Sequence, residues 1–377
     1  MATQIRFGIV GLGLMGREFA SAAARWIHLT NLDVRPVIVA ACDSNTKAFD
    51  WFKASIPTLD FVTTDYRELL ARQDVDAIYC AVPHNLHADF YCDIIRSGKH
   101  LLGEKPFGID LKANEEITKV IVENPEVFVR CSSELPFYPG GIAIIQALMS
   151  EDFGQIIEVE SGLLHSSDIN PEKVINWKRM VEFNGEYGCM GDLGMHVLHI
   201  PLRFRWFPRR VHAQLSKIVK ERPDGKGGRV PCRTWDNATI FGEVEAGDGT
   251  FPITFHTKRI APGETNTWFI RVVGMKRSMT FSTKYPRTLN VMEYRSGGVQ
   301  AWQQIDLGYQ SVYPTITGSI FEFGFTDCIL QMWAAFCDEL AHGRDKMLQP
   351  FFCVTPEEAH QSHLIFTQAL LAHAAAM

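Results

Sequence analysis

Over the first third of the chain, short apolar runs alternate with longer stretches in which apolar residues recur every three or four positions. The runs at 5–10, 36–42, 77–82, 99–104 and 126–131 predict strands, and all but 99–104 carry β-branched residues. Between them GREFASAAARWI, YRELLARQ, HADFYCDIIRSG and LKANEEITKVIVE carry the helical period. Strand and helix in alternation predict a mostly parallel sheet with helices on both faces.

Near residue 135 the rhythm changes. After a helical GGIAIIQALMS come successive strand-like segments: GQIIEVESGLL, VHAQLSKIV, ATIFGEVE, FPITFHTK, WFIRVVG, SMTFST and LNVMEY. EAGDGT between two of them is a hairpin signal, so an antiparallel sheet is expected here. The Gly/Pro-rich KERPDGKGGRVPCRT at 220–234 predicts a surface loop. The end turns helical again: Thr355 stands as N-cap, Pro356 at the first helical position and Glu358 completes a capping box. The layout is α/β over 1–133, followed by α+β over 134–377.

Composition narrows the class. A chain of 377 residues that is 46% hydrophobic holds an ample core and favours two domains. A formal charge of −6, with no basic stripe, argues against a nucleic-acid or anionic-membrane surface. Nine cysteines without CxxC pairs read as buried free thiols. With no signal-peptide pattern and no long apolar segment, a cytoplasmic protein without membrane contact is expected.

The turn between the first strand and first helix, IVGLGLMGREF, places Gly11, Gly13 and Gly16 around Leu14 and Met15. A glycine there permits the tight turn, a second lets backbone approach a pyrophosphate, and a third lets helix pack on strand. The second strand ends at Asp43, positioned to take adenine-ribose hydroxyls and to repel a 2′-phosphate. NAD is therefore the expected cofactor. NADP stays as the alternative, because Ser44 and Asn45 beside Asp43 tolerate a phosphate.

Ligands of open α/β sheets bind beyond the carboxyl ends of the strands. Glu104 and Lys105 follow one such strand, in HLLGEKPFGID; Pro83, His84 and His87 follow another. Farther on, GEYGCMGDLGMHVLHI sets Asp192, His196 and His199 at helical spacing. The histidines as structural groups and a metal site are weighed against an acid–base dyad. The metal reading is weakened by apolar flanks and by the lack of an acid-rich partner segment, and no metal is expected. Oxidation of a secondary alcohol needs a base for the hydroxyl proton and a cation for the developing alkoxide. His196, oriented by Asp192, fits the base and Lys105 the cation.

GLGLMG, GEKPFGID, NWK at Asn176 to Lys178 and GCMGDLGMHVLH, in that order, resemble the motifs of the Gfo/Idh/MocA oxidoreductases. The resemblance runs nearly end to end. It implies an N-terminal Rossmann domain and a C-terminal domain with an open, mostly antiparallel sheet, which often forms a dimer or tetramer contact. It implies Lys105, Asp192 and His196 as catalytic residues, Glu104 and Lys105 near the nicotinamide ribose, and a Lys105–Pro106 peptide that is often cis. Substrates implied are sugars, sugar derivatives and cyclic polyols. The sequence departs from the family at Val82-Pro83-His84, where Thr-Pro-Asn is usual, at Leu135-Pro136, where an Arg-Arg pair is common, and at His199, where many relatives have aspartate. His165, Trp177 and Lys178 are further candidates for the substrate cleft. An NAD-dependent glycoside hydrolase and a non-catalytic sugar sensor on the same fold are the alternatives to a dehydrogenase.

Overall fold

The computed structural model describes residues 2–247, 249–308, 311–349 and 351–377. Two compact units emerge: 1–108 with 112–137 and 310–356, and 109–111 with 138–309 and 357–377.

The first unit is built on six parallel strands: β1 (Thr3–Val10), β2 (Val34–Cys42), β3 (Phe61–Thr63), β4 (Ala77–Cys80), β5 (His100–Gly103) and β6 (Val129–Cys131). Their order is β3-β2-β1-β4-β5-β6, the doubly wound arrangement that the alternation predicts. All six therefore end at one edge. β3, only three residues long, was too short for the pattern to reveal.

One boundary departs from the sequence reading, which gave everything after 133 to the second domain. The helix Phe325–His342 groups with the first unit. Its Trp333 ring lies 3.7 Å from Phe19, 4.7 Å from Tyr79 and 5.7 Å from Phe7, centroid to centroid, and is 1% exposed. Aromatic burial of this extent binds the late helix to the early sheet.

The second unit carries β7 (Ile156–Leu164), β8 (Arg209–Ser216), β9 (Glu221–Pro223), β10 (Arg229–Pro231), β11 (Asn237–Ala246), β12 (Gly249–Lys258), β13 (Thr267–Gly274), β14 (Arg277–Ser282), β15 (Thr288–Glu293) and β16 (Gln303–Asp306). Eight of them form one sheet, ordered β16-β15-β14-β13-β7-β12-β11-β8. Every pairing in it is antiparallel except β12 with β7. β11 and β12 form the expected hairpin with Ala246 opposite Gly249; Asp248 of its turn lies outside the described residues. The segment 220–234 is more ordered than a loop: β9 and β10 pair as a small ribbon, closed by Gly225 and Gly227 at positive φ.

The helix Cys189–Arg203 is buried continuously from Cys189 to Leu202, and Gly194 brings it onto the Phe366 ring of the terminal helix Pro356–Ala375. All nine cysteines are buried free thiols. Among the described residues, no helix is long and apolar enough to cross a membrane.

Candidate functional site

In the first unit the turn after β1 shows why its glycines are needed. Gly11 sits at φ +94°, and a methyl built on it would stand 2.4 Å from the Ala81 carbonyl oxygen. Gly16 would bring its own methyl to 2.3 Å from the Gly11 carbonyl oxygen. Both are fixed by packing. Gly13 differs: at φ −72° it is the N-cap of the helix Leu14–Ala24 with no side-chain cap, and nothing lies within 4 Å of a built methyl. Open space before uncapped helix amides fits a pyrophosphate.

Asp43, just past β2, is pinned beside this turn. Its Oδ2 accepts the Leu12 N–H at 2.7 Å and its Oδ1 the Asn45 N–H at 2.8 Å. Each oxygen keeps a lone pair for a ribose hydroxyl. Leu14 is exposed and Met15 half-buried at the helix start.

At the same sheet edge, Pro83 opens a short turn after β4 and His84 is buried, its ring 5.4 Å from that of His87. His87 is fully buried, with Nδ1 2.6 Å from the Pro106 carbonyl oxygen and Nε2 3.0 Å from that of Val82. Burial lowers its pKa to about 4 against the pull of those carbonyls, and Lys105 adds to the fall. A neutral imidazole has one N–H, so it donates to one carbonyl and sets a lone pair against the other. Both ring nitrogens thus face backbone, and His87 ties the segment after β4 to the segment after β5.

Glu104 is buried, and its Oε1 accepts the Tyr79 hydroxyl at 2.7 Å, while the Tyr91 hydroxyl donates to its backbone carbonyl at 2.7 Å. Lys105 is half-buried, and its peptide bond to Pro106 is cis.

In the second unit the helix Cys189–Arg203 sets Asp192 and His196 one turn apart, 2% and 4% exposed. The Asp192 carboxylate is gripped by two cations. Lys178 Nζ stands 3.0 and 3.3 Å from its two oxygens, and the Arg259 guanidinium pairs with Oδ2. Arg259 also reaches Asp168 at 3.3 Å; Asp168 pairs with Arg179, which donates to Asp236 at 2.6 Å. Charge alternates along this buried chain, as buried charges require. Burial works to raise the Asp168 carboxyl, but Arg179 and Arg259 outweigh it and hold it at about 2. Burial brings Arg259 down to about 10, with Arg179 pushing the same way.

Lys178 is the accessible end of the chain, its side chain 34% exposed. Asn176 Oδ1 accepts its N–H at 3.0 Å and its ammonium lies 5.5 Å from the Trp177 ring centroid, so the NWK segment acts as one piece. His165, at the end of β7, lies 2.8 Å through Nδ1 from the Ser167 hydroxyl. Burial, then Arg259 and Lys178, lower its pKa to about 3, which keeps it neutral. His199 is fully buried with Nε2 3.0 Å from Arg203, itself paired with Glu358, which is a packing role. Among the described residues, no group of three or more His, Cys, Asp or Glu is placed to hold a metal ion.

The sequence candidates thus fall into two groups. Gly11, Gly13, Gly16, Asp43, Pro83, His84, His87, Glu104 and Lys105 stand along one sheet edge of the first unit. His165, Trp177, Asp192 and His196 belong to the second. Arg259, Asp168, Arg179 and Asp236 were missed. They meet from loops and strand ends far apart in the chain, with no spacing to betray them.

A glycine turn at a helix start and a lysine at the same sheet edge stand in the first unit, and a clamped Asp192 one helical turn from His196 stands in the second. Residues 5–130 match the family model described as "Oxidoreductase family, NAD-binding Rossmann fold" (GFO_IDH_MocA). An uncharacterized oxidoreductase of Synechocystis sp. is 27% identical over 227 residues, 60% of this chain and 59% of that protein. Levoglucosan dehydrogenase of Pseudarthrobacter phenanthrenivorans is 24% identical over 257 residues, 65% of this chain and 60% of that protein. The chain is thus matched to about three-fifths of the length of these relatives. A solved structure of levoglucosan dehydrogenase in complex with NADH and levoglucosan superposes with a TM-score of 0.85 at 19% identity, over 100% of this chain and 98% of the other. That likeness is one of fold.

Proposed function

We propose that the chain is an NAD-dependent dehydrogenase that oxidises a secondary hydroxyl of a sugar, glycoside or cyclic polyol, or runs the reverse reduction. One observation carries the reading. β1 and β5 belong to one parallel sheet, so the glycine turn after the first and Lys105 after the second leave by the same edge. Bound NAD would supply the hydride acceptor; Gly13 with the helix amides behind it would hold the pyrophosphate, and Asp43 the adenine ribose.

The chain's own residues handle the proton. The Lys105 ammonium favours the developing alkoxide. His196 takes the hydroxyl proton, and Asp192, clamped by Lys178 and Arg259, orients the imidazole and stabilises its cation. Half-buried Lys178 and Trp177 offer hydrogen-bonding and stacking groups suited to a sugar, and the similarity to levoglucosan dehydrogenase supports that substrate class. The protein is proposed to work in the cytoplasm as a homodimer or homotetramer, a state that sizing by light scattering checks.

The test is a spectrophotometric screen of sugars, glycosides and inositols with NAD and with NADP, following the reduced cofactor. Free NADH on a sugar or polyol supports the proposal. Cleaved glycoside without net NADH replaces it by the hydrolase, and no turnover on any of them replaces it by the sensor.

A further inference from the structure

Beyond the residues assigned above, the first unit buries a carboxylate that this chemistry leaves unused. β5 and β6 are parallel neighbours with Gly103 opposite Cys131, and the Ser132 N–H donates to the Gly103 carbonyl at 2.9 Å, extending the ladder one residue past the strand. Glu104–Lys105 after one strand and Ser132–Ser133 after the other therefore step off the sheet side by side, and Glu134 follows one residue later. Glu134 is then fixed: its carbonyl accepts the Phe137 N–H at 2.9 Å, opening the turn Leu135–Phe137, and the residue is 5% exposed.

We infer that Glu134 is a positioning residue for Lys105, a buried carboxylate that holds the lysine ammonium charged and in place at the sheet edge. The inference rests on the dehydrogenase reading for its purpose, though its geometry stands without it.

The groups around it leave this role open to Glu134. Glu104 is already engaged by the Tyr79 hydroxyl from β4. His87, from the helix after β4, is neutral and turned to backbone. Cys328, from the helix Phe325–His342, is pushed well up by burial, with the Glu134 charge adding to the rise, and stays a thiol. Burial raises the Glu134 carboxyl, while its own backbone amide and the charge of Lys105 pull it back. Charge interaction is mutual: what Lys105 does for the carboxylate, Glu134 does for the ammonium. An ammonium that must persist next to a bound cofactor and away from bulk water needs such a counter-charge.

The experiment reads Lys105 directly. Wild type, Glu134→Gln and Glu134→Asp, each saturated with NAD, are labelled with trace acetic anhydride across a pH series, and the Lys105 peptide is quantified by mass spectrometry. Glu134→Gln is expected to lower the lysine's apparent pKa by about one unit, making it about tenfold more reactive at a fixed pH below that value. Glu134→Asp restores most of the difference. A Lys105 curve unchanged in Glu134→Gln overturns the inference, whether or not any sugar is turned over. Where a substrate is found, the lysine limb of the kcat/KM profile moves by the same amount. Should Glu134→Gln not fold, the reciprocal variant decides: in Lys105→Met the Glu134 carboxyl, followed by carbon-13 resonance, titrates higher than in wild type, and an unmoved carboxyl again overturns the inference.

Discussion

Alanine placed at each of the three turn glycines separates folding from cofactor binding. At Gly11 the cost is structural twice over. A residue with a Cβ in the left-handed region loses about 1–2 kcal/mol, and its methyl would stand 2.4 Å from a backbone oxygen, against an ordinary contact of 3.4 Å or more. Relief of that overlap adds about 1–3 kcal/mol. Together these amount to about 2–5 kcal/mol, a fall in Tm of roughly 4–20 °C for a unit of this size. Gly16→Ala behaves similarly, because its methyl meets the Gly11 carbonyl. Gly13→Ala should melt within about 2 °C of wild type, since φ is −72° and the space ahead is open. Its NAD affinity should nevertheless fall tenfold or more, about 1.4 kcal/mol, because the new methyl would enter the open space proposed for the pyrophosphate. Scanning calorimetry and NAD titration calorimetry on the three variants are the assay. Wild-type NAD affinity in Gly13→Ala, or a wild-type Tm in Gly11→Ala, would refute the reasoning.

Replacing Lys105 or His196 with alanine should reduce turnover by about 10²–10⁴-fold while NAD titrations change little; normal kinetics in both variants would contradict their roles. Arg259→Met removes a partner from both Asp168 and Asp192, which keep Arg179 and Lys178, so a loss of about 3 kcal/mol is expected in urea melts; a stability equal to wild type would show the buried chain to be dispensable. Acid should destabilise the second unit. His165 has a folded pKa of about 3 against roughly 6.5 unfolded, and Asp168 about 2 against roughly 3.9. Both are depressed, so their stabilisation is present above the unfolded values and is lost as pH falls, first through 6.5 to 3 and then through 4 to 2. Urea melts at pH 7.5 and 4.5 should show the loss, and His165→Gln should shrink it; an equal loss in that variant would exclude His165 as its source.

Much of the fold could be read from periodicity because most strands and amphipathic helices advertise themselves. The exceptions have physical causes. The helix Phe325–His342 buries every residue from Cys328 to Glu339, so it shows no polar stripe and escaped notice. The ribbon at Glu221–Pro223 and Arg229–Pro231 is too short and too polar to stand out from its turn residues. Candidate site residues could be singled out where the chain repeats a local device, as in the glycine turn, the strand-end lysine, and Asp192 with His196 one helical turn on. The clamp on Asp192 was not legible in full. Lys178 stood in a recognisable segment, whereas Arg259 lies beyond β12 and meets Asp192 only because the sheet returns there. His87 shows the opposite case. Its place in the sequence pointed to a cofactor contact, and the folded chain turns both its nitrogens toward carbonyls.

The late return of residues 310–356 has a bearing on how this chain is made. Phe7, Phe19 and Tyr79 emerge from a ribosome long before Trp333, the ring that covers them. The nascent nucleotide-binding sheet must wait, greasy side uncovered, through the synthesis of almost the whole of the other unit. A truncated 1–133 fragment would keep that face bare, so it should aggregate when expressed alone, and grafting 310–356 back through a linker is the remedy the architecture suggests.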